Sequence, residues 1–342
     1  MNLHEAFARQ ARACAGLDSP FMAQLLGLCA ENWHDGLPLA GKFAGFSGDI
    51  GPGGASLPLR LAGGLHALVL TGRDPDLAAV YPPQAADDAT LWAAAEAAMV
   101  RHAGFLDRWC DSPPQTNELR RSIALIAAGH VLADRHGLPL HLSELGASGG
   151  LNLIWDRYAL DIRGTRFGPD APVLTLSPDW EGPLPPLAAP QVTERRGVDL
   201  NPLDPGNPDD ALRLLAYLWA DQPERLARTR AAIAAQDAPV DRGDAIDWLE
   251  TRLAAPRAGA VHLIYHTVAW QYFPAEAQAR GTALIEAAGA KATADAPLAW
   301  LGMENDGDDL GAGLTLRLWP GDTRHALARV DFHGRWMRWH GL

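Results

Sequence analysis

The spacing of apolar residues changes along the chain and predicts two parts of different architecture. Over 3–16, 20–32 and 88–110, apolar residues recur three and four positions apart, which is the spacing of amphipathic helices. The segment Asp111-Ser112-Pro113-Pro114 then breaks the pattern, because prolines cannot continue a helix. We therefore predict an N-terminal helical region over residues 1–112.

Beyond Gly137 the pattern changes to short apolar runs separated by helix-compatible stretches, which indicates strand-helix alternation. The predicted strands lie at 140–145, 192–199, 238–243, 260–267, 297–303, 313–319 and 327–333. A short Pro-Gly-Asp link joins the last two, so they are expected to pair antiparallel. The chain is thus predicted to be an α/β protein. Residues 113–342 would form a Rossmann-like domain with a mainly parallel sheet of the methyltransferase type, carrying a Pro-rich insertion at about 159–191.

Charge and composition exclude several classes of partner. Asp plus Glu number 41 and Lys plus Arg 29, giving a formal net charge of −12 that repels nucleic acid and anionic lipid. No apolar stretch reaches the ~18 residues of a membrane span, and the N-terminus lacks the apolar core of a signal peptide. The three cysteines show no Cys-x-x-Cys spacing, which favours a reducing compartment. We expect a cytoplasmic protein with a small-molecule substrate and neither a nucleic-acid nor a membrane partner.

The segment most informative about function is the glycine-rich turn after the first predicted strand. It reads Glu144-Leu145-Gly146-Ala147-Ser148-Gly149-Gly150-Leu151 and joins this strand to a helix-compatible stretch. Small residues at such a turn let a ligand approach the backbone, and a helix N-terminus offers free amides, as in nucleotide-like cofactor sites. The same residues also suit a tight turn without a ligand, so the flanking sequence decides the interpretation.

Two chemistries compete for this turn. Gly146-Ala147-Ser148-Gly149-Gly150 fits Gly-x-Ser-x-Gly, the nucleophile elbow of serine hydrolases, with Ser148 as the attacking residue. It also approximates acidic-x-Gly-x-Gly-x-Gly, the first motif of class I methyltransferases that use S-adenosylmethionine. In that comparison Glu144 is the acidic residue, and Ser148 replaces the middle glycine, where its side chain either hydrogen-bonds to the cofactor or obstructs it.

Acidic residues at the next two strand ends favour the cofactor hypothesis. Asp199 ends the second predicted strand, where such folds receive ribose hydroxyls, and Asp244 follows the third, in a segment resembling the one that binds the adenine amino group. Each has a structural alternative, an Asx turn towards Pro202 for Asp199 and a helix N-cap for Asp244. The predicted cofactor-binding residues are Glu144, Gly146, Ser148, Gly150, Asp199 and Asp244.

The fourth predicted strand ends in residues expected to face the transferable methyl group. His266 is the candidate general base because histidine titrates near neutral pH, although a histidine at a strand end is more often simply hydrogen-bonded. No metal site is predicted, since His262 and His266 lie about 13 Å apart along a strand of ~3.3 Å rise per residue. The predicted substrate pocket comprises Gln115, Asn117, Glu118, Asn152, Trp270 and Tyr272.

Several motifs together resemble one bacterial family. They are Pro113-Pro114-Gln115-Thr116-Asn117-Glu118, Glu144 to Leu153 with Trp155-Asp156-Arg157-Tyr158, Gly197-Val198-Asp199-Leu200-Asn201-Pro202-Leu203-Asp204, Trp270-Gln271-Tyr272 and His333-Gly334-Arg335-Trp336. Through them the chain resembles the domain of unknown function 2332 (DUF2332) family over nearly its whole length. The resemblance implies a methyltransferase-like Rossmann fold and supplies no substrate.

The sequence thus predicts an enzyme that transfers a methyl group from S-adenosylmethionine to a small molecule, mainly by aligning the nucleophile with the methyl carbon. A serine hydrolase using Ser148 stays open as an alternative, although no His-Gly-Gly oxyanion segment precedes the turn. A non-catalytic binding protein that keeps the fold is the third possibility. Neither the substrate nor the oligomeric state follows from the sequence.

Overall fold

Two of the three N-terminal segments predicted from the apolar spacing, 3–16 and 20–32, are single helices with nearly those bounds, whereas 88–110 is divided into two helices at His102. In the computed structural model, which describes residues 1–51 and 53–342, the helices are α1 (Leu3–Ala15), α2 (Pro20–Asn32), α3 (Ala40–Ala44), α4 (Leu57–Leu70), α5 (Pro75–Ala78), α6 (Asp88–Arg101), α7 (Ala103–Trp109), α8 (Ser122–His136), α9 (Pro208–Ala216), α10 (Pro223–Ala235), α11 (Ala245–Arg252) and α12 (Ala275–Gly289). Asn2 and Glu5 form a capping box at α1, and Asp74 and Asp87 cap α5 and α6.

The strands are β1 (Leu140–Leu145), β2 (Ala159–Ile162), β3 (Thr165–Phe167), β4 (Thr175–Leu176), β5 (Asp179–Glu181), β6 (Val192–Asp199), β7 (Val240–Arg242), β8 (Val261–Thr267), β9 (Leu298–Glu304), β10 (Ala312–Trp319), β11 (Thr323–Val330) and β12 (Trp336–Trp339). Within the described residues they form a nine-stranded sheet, β5-β12-β11-β10-β9-β8-β1-β6-β7, and a three-stranded sheet, β3-β2-β4. Five adjacent strands, β9, β8, β1, β6 and β7, are parallel to one another. β10 pairs antiparallel with β9 and with β11. A mixed α/β architecture with a large, mostly parallel sheet and an N-terminal helical region is thus present.

The large sheet differs from the prediction at one edge. β11 occupies residues 323–330 instead of 327–333 because the chain reverses immediately after β10, with Gly321 and Asp322 both at positive φ. β12 and β5 extend the sheet beyond β11 and pair parallel with each other. The Pro-rich segment therefore supplies an edge strand to the large sheet, and its β2 and β3 form an antiparallel hairpin.

The chain divides into two compact units. Unit 1 comprises Met1–Thr116 and Pro205–Arg230, and unit 2 comprises Asn117–Asp204 and Ala231–Leu342. The first boundary lies close to the predicted one at 112, but Pro205–Arg230 groups with the N-terminal helices instead of the C-terminal domain. Packing against α4 gives the reason. The Tyr217 ring lies against Gly63, where a Cβ would come within 2.5 Å of it, and His66 Nδ1–H donates to the Leu218 carbonyl at 2.8 Å.

Each unit has its own apolar core. In unit 1, Phe7, Trp33 and Phe43 form a row of ring contacts in which Trp33 and Phe43 stack at 5.3 Å. In unit 2, β8 is buried at every residue, as expected for a central parallel strand covered on both faces. None of the helices described in residues 1–51 and 53–342 is both long and apolar enough to cross a membrane.

Candidate functional site

The glycine-rich loop, residues 146–150, follows β1 at the carboxyl edge of the parallel strands. β1 lies between β6 and β8, and the chain adds β6 and β7 on one side of it before adding β8 and β9 on the other. In open α/β sheets such a reversal of strand order leaves a crevice outside the carboxyl ends, where ligands bind. The glycine-rich loop therefore lies at the carboxyl edge of the sheet, where the strand order reverses.

The glycine-rich loop is a fixed turn with left-handed backbone at three positions. Gly146, Ser148 and Gly150 have φ angles of 72°, 55° and 70°. At Ser148, a non-glycine residue, this conformation costs about 1 kcal/mol. The Gly146 N–H donates to the Val198 carbonyl at 2.9 Å, and a Cβ at Gly146 would lie 2.6 Å from the Cβ of Ala269. Close packing therefore requires glycine at 146.

Asp199, the last residue of β6, contacts the glycine-rich loop directly. Its Oδ2 accepts the Ser148 N–H at 2.9 Å, and its Oδ1 accepts the Asn201 N–H at 2.9 Å. The second bond is the Asx turn that the sequence allowed, and the first ties β6 to the loop. A carboxylate has about four lone-pair positions, so two can still accept from a ligand.

The Ser148 hydroxyl is the least satisfied polar group of the glycine-rich loop. The residue is 6% exposed, and Ser148 Oγ has no hydrogen-bond partner within residues 1–51 and 53–342. Buried polar atoms in folded proteins are nearly always paired, so each exception calls for an explanation such as a ligand or water.

Glu144 is buried within a polar network at the end of β1. Tyr265 Oη lies 3.3 Å from Glu144 Oε2 and 3.2 Å from the Asn152 carbonyl oxygen. Burial raises the pKa of Glu144 well above its ordinary value. A phenol carries one proton, so a protonated Glu144 can donate to Tyr265 Oη while Tyr265 donates to Asn152. The interior therefore disfavours the charged form of Glu144.

Three predicted pocket residues connect buried backbone segments of unit 2. Asn117 Oδ1 accepts the Leu151 N–H at 2.9 Å, which occupies an amide at the start of the 3₁₀ helix Leu151–Arg157. Asn152 Oδ1 accepts from Ser122 Oγ at 2.7 Å, and Asn152 Nδ2 donates to the Glu118 carbonyl at 3.3 Å. All these side chains are buried. The predicted Gln115 belongs to unit 1.

Asp244 is exposed and lies at the start of α11. Its Oδ1 accepts the N–H groups of Ile246 and Asp247 at 2.9 and 3.0 Å, which makes it the N-cap of this helix. Asp244 therefore forms the helix cap that was its structural alternative. Among the described residues, no hydrogen bond joins its carboxylate to the glycine-rich loop.

His266 has both ring nitrogens occupied. Trp300 Nε1–H donates to His266 Nε2 at 2.9 Å, and His266 Nδ1 lies 2.7 Å from Glu304 Oε1. An indole only donates, so Nε2 is unprotonated and Nδ1–H donates to Glu304. Glu304 also accepts the three consecutive amides of residues 269–271 at 3.0 to 3.3 Å. This arrangement matches the hydrogen-bonded alternative for His266, since a general base needs a free lone pair.

A cavity of about 470 Å³ opens beside His266. We call it the tryptophan cavity; its lining residues are His266, Trp270, Trp300, Gly302, Glu304, Asp306, Gly313, Thr315, Leu316, Arg317, Arg324, His325 and Ala326. Of the predicted pocket residues, Trp270 lines this cavity, and Tyr272 is 72% exposed. Sequence analysis missed Trp300 and Glu304, whose roles depend on the pairing of β8 with β9. One signal for this site was available in the sequence. Gly302 lies within an apolar strand, where a glycine indicates that another group approaches the backbone closely.

No group of three His, Cys, Asp or Glu side chains is arranged to hold a metal ion in the part of the chain that the structure describes.

Comparison with known proteins gives one match. No curated protein and no solved structure matches the chain. A family model described as "uncharacterized protein conserved in bacteria (DUF2332)" matches residues 4–339 and confirms the resemblance found in the sequence motifs. The match covers nearly the whole chain of 342 residues. The chain therefore belongs to the DUF2332 family of bacterial proteins.

Proposed function

We propose that unit 2 binds S-adenosylmethionine at the glycine-rich loop and transfers its methyl group to a small molecule. One observation carries the proposal: within the described residues, the Ser148 hydroxyl is buried without a partner beside the carboxylate of Asp199. A buried donor left unsatisfied costs about 1–3 kcal/mol. A polar ligand at this edge of the sheet would remove that cost.

The strand order supports the finer fold assignment on which the proposal rests. Numbered along the chain, the five parallel strands β1, β6, β7, β8 and β9 follow the order 3-2-1-4-5 across the sheet. This is the order of doubly wound folds that bind nucleotide-like cofactors beside the first strand. We therefore interpret the sheet of unit 2 as Rossmann-like and of the methyltransferase type.

The residues at the glycine-rich loop fit the cofactor. Asp199 can accept from ribose hydroxyls with its two remaining lone-pair positions, and Ser148 Oγ can donate or accept. Burial, and after it the nearby carboxylate of Asp199, raise the pKa of Glu144, which lessens the repulsion between two carboxylates at the site. Asp244 fits less well because its Oδ1 already accepts two amides.

Little further catalytic machinery is required of the chain. S-adenosylmethionine supplies a methyl group that is already activated by its sulfonium. The protein therefore has to align the acceptor and exclude water, which can account for several kcal/mol of the barrier. Asp199 and the backbone of residues 146–150 would orient the bound cofactor. His266 would hold Trp300 and Trp270 in place and would not remove a proton.

Calorimetric titration with S-adenosylhomocysteine tests the proposal. Asp199→Asn keeps an oxygen for one amide and loses the charge, so we expect binding about 10-fold weaker, whereas Asp199→Ala should weaken it about 100-fold. The matched control is Asp161→Asn, since Asp161 also accepts a turn amide, that of Gly164 at 3.0 Å, and lies in the small sheet. A folded parent that does not bind S-adenosylhomocysteine, or unchanged affinity in both Asp199 variants, would overturn the proposal.

Asp244→Ala separates the two roles considered for that residue. If Asp244 contacts the adenine, the variant should bind S-adenosylhomocysteine about 10-fold more weakly. If it only caps α11, the variant should lose about 1 kcal/mol of stability at unchanged affinity. Thermal melts recorded beside the titration distinguish these outcomes.

A further inference from the structure

We propose that the tryptophan cavity binds a planar aromatic molecule that carries an anionic group. Its volume of about 470 Å³ lies within the ~300–1,000 Å³ range of small-ligand pockets. The cavity is built by β8 to β11 and the segment after β8, and the inference does not depend on the glycine-rich loop.

The aromatic wall of the tryptophan cavity is held rigid by a chain of polar contacts. Trp270 and Trp300 meet edge to face, with ring centroids 5.5 Å apart and planes at 62°. His266 stacks on Trp270 at 5.0 Å and accepts the Trp300 indole N–H. Glu304 fixes His266 in turn and accepts three backbone amides. A wall fixed before binding loses little conformational entropy when a ligand arrives.

The charge state of Glu304 keeps the contacts of the aromatic wall intact at neutral pH. Although burial disfavours the charged form of Glu304, the hydrogen bond from His266 and the amides of Ala269 and Trp270 hold its pKa below the ordinary value. An ionised Glu304 keeps the His266 proton on Nδ1 and leaves Nε2 to accept from Trp300. Both tryptophan side chains remain partly exposed, so their rings are available to a ligand.

The floor of the tryptophan cavity consists of small side chains. Gly302, Thr315 and Ala326 lie opposite one another on β9, β10 and β11, and Thr315 and Ala326 are exposed. Gly302 must be glycine because a Cβ there would lie 2.9 Å from the His266 ring. A flat floor beside two indole rings suits a planar ring that lies on the strands and meets the tryptophans at their faces or edges.

The rim supplies a positive charge. Arg317 is committed to Asp322 and Glu286 through hydrogen-bonded ion pairs. Arg324 is 68% exposed, and its pair with Glu286 at 3.6 Å shares that carboxylate with Arg317. Asp306, an acidic residue of the cavity lining, is paired with Arg329. Arg324 therefore has donors available for a carboxylate or phosphate on the ligand.

Quenching of tryptophan fluorescence by 2-naphthoate, checked by calorimetry, tests the inference with the full chain. We expect 2-naphthoate to bind at least about 10-fold more tightly than cyclohexanecarboxylate, which lacks the aromatic plane, and 2-naphthylmethanol, which lacks the charge. Arg324→Gln should remove the preference for 2-naphthoate over 2-naphthylmethanol and leave the preference over cyclohexanecarboxylate.

A bulky residue on the floor provides the site-specific test. Ala326→Trp adds an indole at an exposed position and should weaken 2-naphthoate binding more than about 10-fold. The matched control is Ala294→Trp, at an exposed position between α12 and β9, which should bind like the parent. The inference is wrong if the folded parent does not bind 2-naphthoate, if Ala326→Trp binds it as well as the parent does, or if the three probes bind equally.

Discussion

Two glutamates near the ends of β1 and β9, the strands on either side of β8, differ in pKa because their surroundings differ. Glu144 is buried beside a phenol, and burial raises its pKa well above the ordinary value. Burial also disfavours the charged form of Glu304. However, His266 and backbone amides donate hydrogen bonds to Glu304 and hold its pKa below the ordinary value. Burial thus raises the pKa of one carboxyl, whereas hydrogen-bond donors lower that of the other.

These surroundings predict opposite effects of the same substitution. A raised pKa in the folded state contributes stability at acidic pH that is lost as the pH rises, so Glu144→Gln should increase the free energy of unfolding at pH 8 and change it little at pH 4.5. A lowered pKa has the reverse dependence, so Glu304→Gln should decrease stability at pH 8 and matter less as the pH falls. Urea denaturation at both pH values measures the two differences, and equal signs at pH 8 would contradict the assignment.

Ser148 is predicted not to act as a nucleophile. Its positive φ resembles the strained position of a nucleophile elbow, but no base donates to or accepts from its hydroxyl in the described part of the chain. A serine hydroxyl without an adjacent base is a weak nucleophile, so a fluorophosphonate probe should leave the protein unlabelled. Stoichiometric labelling that disappears in Ser148→Ala would favour the hydrolase over the methyltransferase.

Residue chemistry could be predicted from the sequence only where the partners are close along the chain. The turn after β1 follows from its own small residues, and the Asx turn joins Asp199 to Asn201 two positions away; both could be predicted. The hydrogen-bond partners of His266 could not be predicted, because Trp300 and Glu304 reach it from β9, which is more than thirty positions away and adjacent only in the folded sheet. Asp244 shows a different limit, since an acidic residue after a strand suits both a helix cap and a ligand contact.

Packing between elements depends on glycines that make room for large rings. In α8, a Cβ on Gly129 would lie 2.3 Å from the fully buried ring of Trp155 on the following 3₁₀ helix. Gly27 in α2 has open space around it. The same replacement should therefore have opposite effects in the two helices.

We expect Gly129→Ala to destabilise the protein by about 1–3 kcal/mol through overpacking. Gly27→Ala, the matched helical control, should stabilise it by about 0.5–1 kcal/mol because alanine loses less backbone entropy in a helix. Chemical denaturation followed by circular dichroism measures both changes. A stabilised Gly129→Ala variant would show that Trp155 does not lie against α8.

Long, buried elements were predicted better than short edge elements. The predicted strands 140–145 and 260–267 match β1 and β8 to within one residue, because a buried run bounded by turn residues gives a clear pattern. β5 and β12 have only three and four residues and pair with each other across more than 150 positions of sequence. Such strands are set by tertiary pairing and leave little periodicity to detect.

At the scale of the whole molecule, each unit contains a histidine that folding keeps neutral. Burial lowers the pKa of His66 in unit 1 to about 4 and that of His262 in unit 2 to about 3. The unfolded chain binds these protons near pH 6.5, so each histidine favours the folded state above that pH and loses its contribution as the pH falls towards the folded pKa. Both units should therefore lose stability between pH 6.5 and 4.

The contribution of each histidine to this acid sensitivity can be isolated by substitution. His262→Gln and His66→Gln should each flatten the dependence of unfolding free energy on pH by up to about 1.4 kcal/mol per pH unit between pH 5 and 6. His340→Gln, at an exposed position, is the control and should leave the slope unchanged. Parallel slopes in all variants would show that these histidines are not buried neutral.

The division of unit 1 into two chain segments affects how the protein is made and dissected. Its second segment, Pro205–Arg230, is translated after β6 of unit 2, so a ribosome must finish part of unit 2 before unit 1 has all its helices. A gene cut after Thr116 would leave α4 without α9, and it would leave Tyr217 and Trp219, which are core residues of unit 1, on the other fragment. Separate production of unit 1 therefore requires residues 205–230 on the same fragment as the N-terminal helices, and the second cut falls within α10.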